Sequence, residues 1–270
     1  TFSGDWSKFE GTVTTMCNNR SAKHLYENTT FDFNNSYGLP KATLNIPADV
    51  TVNNNGKDFP LGNVSGSGTL AGQGAWILGS NGNDFTFGVN TASGSKLIKR
   101  GKGRMLLFSP GKIQGQLYVN QGVLAFGTGV STPVVGSTLT VNTGGEVRAT
   151  GLVNSIILNG NSKFTAVSPF NDDKGGVFKT AAMFKMASTA NADFVLTSKT
   201  SNSKIDCGNF LYLGNINVRL APSYKPAIGD SITLWTCSRV MQAPTNISLP
   251  ELPVGRKWDA TALTDKSKEG

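Results

Sequence analysis

Leu97-Ile98-Lys99-Arg100-Gly101-Lys102-Gly103-Arg104-Met105-Leu106-Leu107 sets the pattern from which the fold is read. Leu97, Lys99, Gly101, Gly103, Met105 and Leu107 share one parity. After a loop, Leu117 and Val119 take it up again, and Gly122 shifts it to Leu124 and Phe126. Side chains of a strand alternate between two faces, so period-two runs whose parity resets at a glycine are short strands meeting at corners. Leu117-Tyr118-Val119-Asn120-Gln121-Gly122 returns 22 residues later as Leu139-Thr140-Val141-Asn142-Thr143-Gly144. An offset of about one solenoid coil predicts an all-β fold, a single-stranded parallel β-helix (β-solenoid) of roughly 20–25 residues per coil. In such a fold each coil stacks on the one before, and only the stack has a core. Gly122 and Gly144, ending the same run, are expected at equivalent corners.

Composition agrees. Of 270 residues 32 are glycine and only 16% are charged, which favours a turn-rich β protein over a helical or disordered one. Nothing resembles a linker, so residues 1–270 are expected to form one β-helix domain, with irregular loops near 14–41 and a terminal coil or cap near 221–270. Opening directly in a strand-and-turn pattern at Thr1-Phe2-Ser3-Gly4, the chain reads as a piece of a longer protein. No apolar run approaches the roughly 20 residues that cross a bilayer, so no membrane insertion is expected within it.

Along the chain, Trp6, Phe9 and Val13 are available to a core, and Asn18–Tyr37 is an irregular, Asn-rich stretch holding the one histidine, His24. Alternation returns at Leu44, Ile46, Val50 and Val52, broken at Pro47. Val177–Met186 tolerates a helix at Ala181-Ala182, but Phe184-Lys185-Met186 followed by Phe194-Val195-Leu196 fits strands better. The three cysteines, Cys17, Cys207 and Cys237, have no metal-site or redox spacing. Cys207 and Cys237 are either bridged, if their coils are adjacent, or buried free thiols.

These segments resemble the passenger-type β-helix of autotransporter-like surface proteins, specifically the autotransporter-associated β-strand repeat. The family repeat, Leu-x-Lys-x-Gly-x-Gly-x-Leu-x-Leu then Gly-x-Leu-x-Val-x-x-Gly-x-Leu, matches Leu97–Leu107 and Gly115–Leu124, with Met105 the one substitution at a patterned site. The family's middle portion is replaced by Ser109-Pro110-Gly111-Lys112-Ile113-Gln114-Gly115. Pro226–Leu234 and Leu249–Asp259 look like the C-terminal portion of such passengers, in a style common in secreted proteins of gut Bacteroidota. The resemblance implies a secreted or cell-surface bacterial protein, a non-enzymatic stalk or adhesin, whose partners would be surface molecules of a host or of other bacteria.

Residues that could carry chemistry are few. Gly66-Ser67-Gly68-Thr69-Leu70-Ala71 imitates a dinucleotide fingerprint without the helix that would hold a pyrophosphate, so no cofactor is expected. His24 has no recognisable nucleophile partner, and no metal-ligand set is spaced for an ion. Some β-helices are polysaccharide lyases or hydrolases, and this remains the competing function. Its best acidic pair, Asp172-Asp173 beside Gly175-Gly176, reads more naturally as a solvated turn. Asp5 and Glu10 have opposite parity and need not converge.

Lys96, Arg100, Lys102 and Arg104 are of opposite parity to Leu97, Met105 and Leu107 and are expected to project outward from one strand face. Four cations within nine residues, on a chain of net charge +8, make them the candidate ligand-binding residues, with sulfated or uronic-acid glycans as the fitting ligand. The plainer alternative is a solubilising face that discourages edge pairing. Lys99, of core parity, is expected to snorkel at a corner. Nucleic acid is not an expected partner, because the aromatic residues follow core parity and do not alternate with the cations.

Overall fold

The computed structural model describes residues 3–16, 29–107, 113–127 and 135–266. Cys17, His24 and the loop residues Ser109, Pro110, Gly111 and Lys112 lie outside the described residues. Among the described residues, apart from one helical turn, Thr261–Thr264, the regular elements are strands, most of them gathered into long parallel sheets, as a β-solenoid requires. By contact density the chain falls into two compact units.

The first comprises Thr1–Val123 with Val134–Ser137. Its main sheet runs, in spatial order, Thr12–Thr14, Leu39–Ile46, Phe59–Gly66, Ala75–Leu78, Lys96–Lys99 and Gln116–Val119. A second sheet runs Thr29–Asp32, Val50–Asn53, Thr69–Ala71 and Asn90–Thr91, and single bridges through Ile113 and Val135 continue it. A third face pairs Phe85–Phe87 with Arg104–Leu107. Strands adjacent in sequence thus occupy different sheets, while strands one coil apart pair in parallel. Leu97 lies between Trp76 and Leu117, offsets of 21 and 20 residues, within the expected coil length. The apolar parity points inward: Leu44, Ile46, Val52, Leu70, Trp76, Leu117 and Val119 are fully buried. Phe33, Phe59 and Trp76 form an aromatic cluster, with Phe33 and Phe59 centroids 4.6 Å apart, and the Trp76 indole N–H donates to Ala71 O at 3.0 Å.

Trp6 and Phe9 do not join this core. They are 37% and 36% exposed and pack edge to face on each other at 5.8 Å, in a turn that precedes the first rung of the sheet, Thr12–Thr14. Pro47 ends the strand Leu39–Ile46 as expected, and its carbonyl accepts the Val50 N–H to turn the chain into the next sheet. The glycine-rich Gly66-Ser67-Gly68 is another such corner. The amides of Ser67 and Gly68 both donate to Ile46 O one coil away, and Gly66 holds φ +99°. The glycines there serve stacking.

The second unit comprises Leu124–Pro133 with Thr138–Gly270. Its main sheet orders Thr138–Val141, Gly151–Leu158, Val177–Met186, Lys204–Tyr212 and Trp235–Gln242. Its second sheet orders Gly145–Ala149, Lys163–Thr165, Asn191–Leu196, Asn215–Leu220 and Asn246–Ser248. Leu139, Ile156, Phe184, Leu211 and Val240 form one inward ladder, all buried. Phe184 of this ladder interlocks with Phe164 and Phe178, the three rings at centroid separations of 4.7–6.0 Å. The coil length is not constant: Leu139 and Ile156 are 17 residues apart, whereas Ile156, Phe184, Leu211 and Val240 are separated by 28, 27 and 29. The longer coils depart from the expected 20–25 because they carry long strands, such as the ten-residue Val177–Met186, and the antiparallel hairpin Val167–Ser168 with Asn171–Gly175. Val177–Met186 is a strand throughout, the alternative favoured by Phe184-Lys185-Met186.

Candidate functional site

The four outward cations surround a corner built by the organising motif. Gly79, Gly101 and Gly122 hold φ of +79°, +80° and +73°, and they stack. A Cβ added to Gly101 would stand 2.0 Å from Gly79 O, and one added to Gly122 would stand 2.3 Å from Gly101 O. Gly103 is closed off by Asn83 O, 2.2 Å from its would-be Cβ. Left-handed φ and the touching backbones each require glycine at Gly101 and Gly122. A turn this tight points carbonyls inward, and Lys99 supplies their partner. Its side chain is fully buried, and its ammonium donates to Arg100 O at 3.0 Å, Gly101 O at 2.8 Å and Gln121 O at 3.3 Å. Burial brings its pKa down to about 8, against the opposing pull of the Asp84 carboxylate. Lys99, Gly101 and Gly103 thus form a structural device in which the lysine caps the corner that the glycines make.

Around this corner the cations do not share one strand face. Lys96 lies on Lys96–Lys99 of the main sheet, its ammonium 5.0 Å from the centroid of Tyr118 on the neighbouring rung, and the Tyr118 hydroxyl donates to Gln116 at 2.9 Å. Arg100 and Lys102 are exposed on the corner itself. Arg104 opens the strand Arg104–Leu107 in a different sheet, where its N–H donates to Asp84 at 2.7 Å and its guanidinium lies 3.8 Å from the same carboxylate. Parity carries through Gly101 and Gly103 unbroken, but the corner changes the direction that parity calls outward. What remains is an arc with Arg100 and Lys102 at its apex, and neither has an acidic partner among the described residues.

No family model and no curated protein matches the chain.

The candidate acids have structural partners. Asp172 and Asp173 lie on the exposed hairpin strand Asn171–Gly175, where Arg148 pairs with Asp172 at 2.7 Å and Arg219 with Asp173 at 2.6 Å. Arg219 also donates to the Asp172 carbonyl, and Arg148 pairs with Glu146 at 2.7 Å. Two arginines from different coils therefore pin the hairpin to the flank of the second unit. Glu10 pairs with Lys41 at 3.0 Å on the surface. Among the described residues no group of three or more His, Cys, Asp or Glu is placed to hold a metal ion, and no helix is long and apolar enough to cross a membrane. Cys207 and Cys237 face each other directly across the strands Lys204–Tyr212 and Trp235–Gln242, so their coils are adjacent, yet no disulfide joins them, and the Cys207 thiol donates to Phe210 O at 3.1 Å.

Sequence reasoning passed over one feature in the second unit. Pro226–Leu234 and Leu249–Asp259 come together, with Arg256 donating to Pro226 O at 3.0 Å. They line a groove of about 1020 Å³ with Leu196 and Val218 among its lining residues and Trp258, Asp230 and Asp259 around them. Asp230 accepts from the Ala227 N–H at 2.8 Å and the Tyr224 hydroxyl at 3.2 Å, and these bonds hold its carboxyl below the usual range. Asp259 is held low by the Thr261 hydroxyl and N–H. Carboxyls stabilised as anions are poor proton donors.

Proposed function

We propose that this chain is a non-enzymatic passenger region of a secreted or cell-surface bacterial protein, a β-helical stalk or adhesin that contacts acidic glycans through Lys96, Arg100, Lys102 and Arg104. The observation that carries it is the glycine corner. There the backbone is fixed by stacked carbonyls and by buried Lys99, while Arg100 and Lys102 project from it with no acidic partner among the described residues. A rigid arc of cations suits a polyanion, whose repeating charges engage several of them at once, and salt screens the attraction. The test is a glycan array at low salt with the wild-type chain and a variant in which all four become Ser. Sulfated and uronic-acid glycans are expected to bind the wild type, to weaken as salt rises, and to lose the variant. Equal binding by both proteins, or by neither, leaves the arc a solvated face.

A second reading, an accessory or catalytic part of a polysaccharide-degrading enzyme, draws on the groove beside Trp258. It requires a carboxyl able to give up a proton near neutral pH, whereas Asp230 and Asp259 are both held low. Release of reducing ends from polygalacturonate or heparin by the purified chain would favour it over the stalk.

A further inference from the structure

We propose that the loop Ser198–Lys204, with the facing residues Ser231 and Thr233, forms a pocket for a single uronic-acid sugar, a proposal that rests on the acidic-glycan reading above. The loop is held in place from within. Ser198 Oγ accepts the N–H groups of Thr200 and Ser201 at 3.2 and 2.8 Å, and Asn202 Oδ1 accepts those of Thr197 and Ser198 at 2.9 and 3.3 Å. Ser203, fully buried, accepts from Val195 N–H at 2.9 Å and donates to Ala166 O at 2.6 Å. With the amides of Ser198, Thr200 and Ser201 satisfied within the loop, Lys199, Thr200, Ser201, Asn202 and Lys204 line a cavity of about 310 Å³ together with Ser231 and Thr233 of a later segment. That volume is at the lower end of small-molecule sites, which run from about 300 to 1,000 Å³.

The lining decides the ligand class. Two lysines and four hydroxyl-bearing residues line the cavity beside Asn202, Gly176 and Val177, and no acidic or aromatic residue lines it. Asp230 stands behind Lys199, 3.6 Å from its ammonium, and is already bonded to Tyr224 and Ala227, so it positions that lysine. Lys204 has no acidic partner among the described residues, which leaves its charge for a ligand anion. A free phosphate or sulfate is best held by a cradle of backbone N–H groups. Here the Thr200 and Ser201 amides are already taken by Ser198. One carboxylate beside several hydroxyls is the complement of this surface: the carboxylate meets Lys204, and the ring hydroxyls meet Thr200, Ser201, Asn202 and Thr233.

The experiment is a ¹⁵N–¹H NMR titration of the full chain at low salt with galacturonic acid, with galactose and inorganic sulfate as controls. Galacturonic acid is expected to shift the amides of Thr200, Ser201, Asn202 and Thr233, to bind at least about tenfold more tightly than galactose, and to weaken about tenfold in Lys204→Gln, one decade being the effect of losing a single charge-assisted contact. Galactose or sulfate binding as well as galacturonic acid, or an unchanged Lys204→Gln titration with a native-like spectrum, overturns the pocket. Shifts confined to residues 96–104 overturn the pocket and leave the acidic-glycan reading standing. Shifts at Ser198–Lys204, together with polygalacturonate binding that survives replacement of the four corner cations by Ser, support the pocket and overturn the corner assignment. No shift anywhere overturns the pocket, while the corner, which needs a polyanion, stands or falls with the glycan array.

Discussion

Lys99 occupies a position that alternation gives to the core, and it is buried with its charge because three turn carbonyls need a donor that a glycine corner cannot supply from its own backbone. Lys99→Met keeps the aliphatic stem and orphans Arg100 O, Gly101 O and Gln121 O. It is expected to cost about 1–3 kcal/mol in urea unfolding. The pH dependence has a definite sign. The folded-state pKa is about 8, below the ordinary 10.5, so the unfolded chain binds the extra proton between those values and wild-type stability rises with pH across that window. The difference between wild type and Lys99→Met, in which other titrations cancel, is therefore expected to widen by roughly 1.4 kcal/mol per pH unit from pH 8 upward. A difference independent of pH between 7 and 10 refutes the desolvated lysine. Gly101→Ala tests the corner itself. With φ at +80° and Gly79 O 2.0 Å from the new methyl, a loss of about 1–3 kcal/mol or more is expected in the urea midpoint.

Among the elements, the hairpin Val167–Ser168 with Asn171–Gly175 separates what ion pairs stabilise from what they merely place. Arg148 and Arg219 reach it from positions 24 and 46 residues away in sequence, through largely exposed pairs that are worth at most about 1 kcal/mol each. Arg219→Ala is accordingly expected to leave the unfolding midpoint almost unchanged while amide exchange at Asp172, Asp173 and Lys174 quickens. A large loss of global stability would mean that the hairpin is part of the core. Side-chain ladders are the other contribution at this scale. Asn191, Asn215 and Asn246 are rung partners, and the Asn246 amide donates to Asn215 at 2.9 Å. Asn215→Ala, which removes the middle rung, is expected to cost about 0.5–1.5 kcal/mol by the same unfolding assay.

For the molecule as a whole, each of its two units is a stack in which a coil touches only its neighbours, so stability is spread along each stack. Phe184→Ala opens a cavity between Ile156 and Leu211 and against Phe164 and Phe178. It is expected to cost about 3–5 kcal/mol, with faster exchange first in the rungs Gly151–Leu158 and Lys204–Tyr212. Much of this architecture is local in origin and could be read in advance. Strand parity depends on each residue's immediate neighbours, so the inward ladder through Leu97 and Leu117 and the strand nature of Val177–Met186 follow from the order of residues. Gly122 and Gly144 likewise take left-handed φ of +73° and +89°, because the turn that ends each run is itself local. Features that need two distant segments were not legible. Trp6 and Phe9 have core-like spacing but lie outside the first rung, and the arginines that hold Asp172 and Asp173 are fixed by coil length, which no short pattern encodes. The arc of Lys96, Arg100, Lys102 and Arg104 was visible as charge, but its division between two sheets depends on how far the chain rotates at Gly101. The cavity of Lys199 and Lys204 is lined also by Ser231 and Thr233 of a later segment, which no local pattern brings to it. The amino-acid order by itself determined which side chains face in and where the chain turns, since both are set within a few residues. Which outward groups meet was decided by the tertiary structure, through the length of each coil and the angle of each corner.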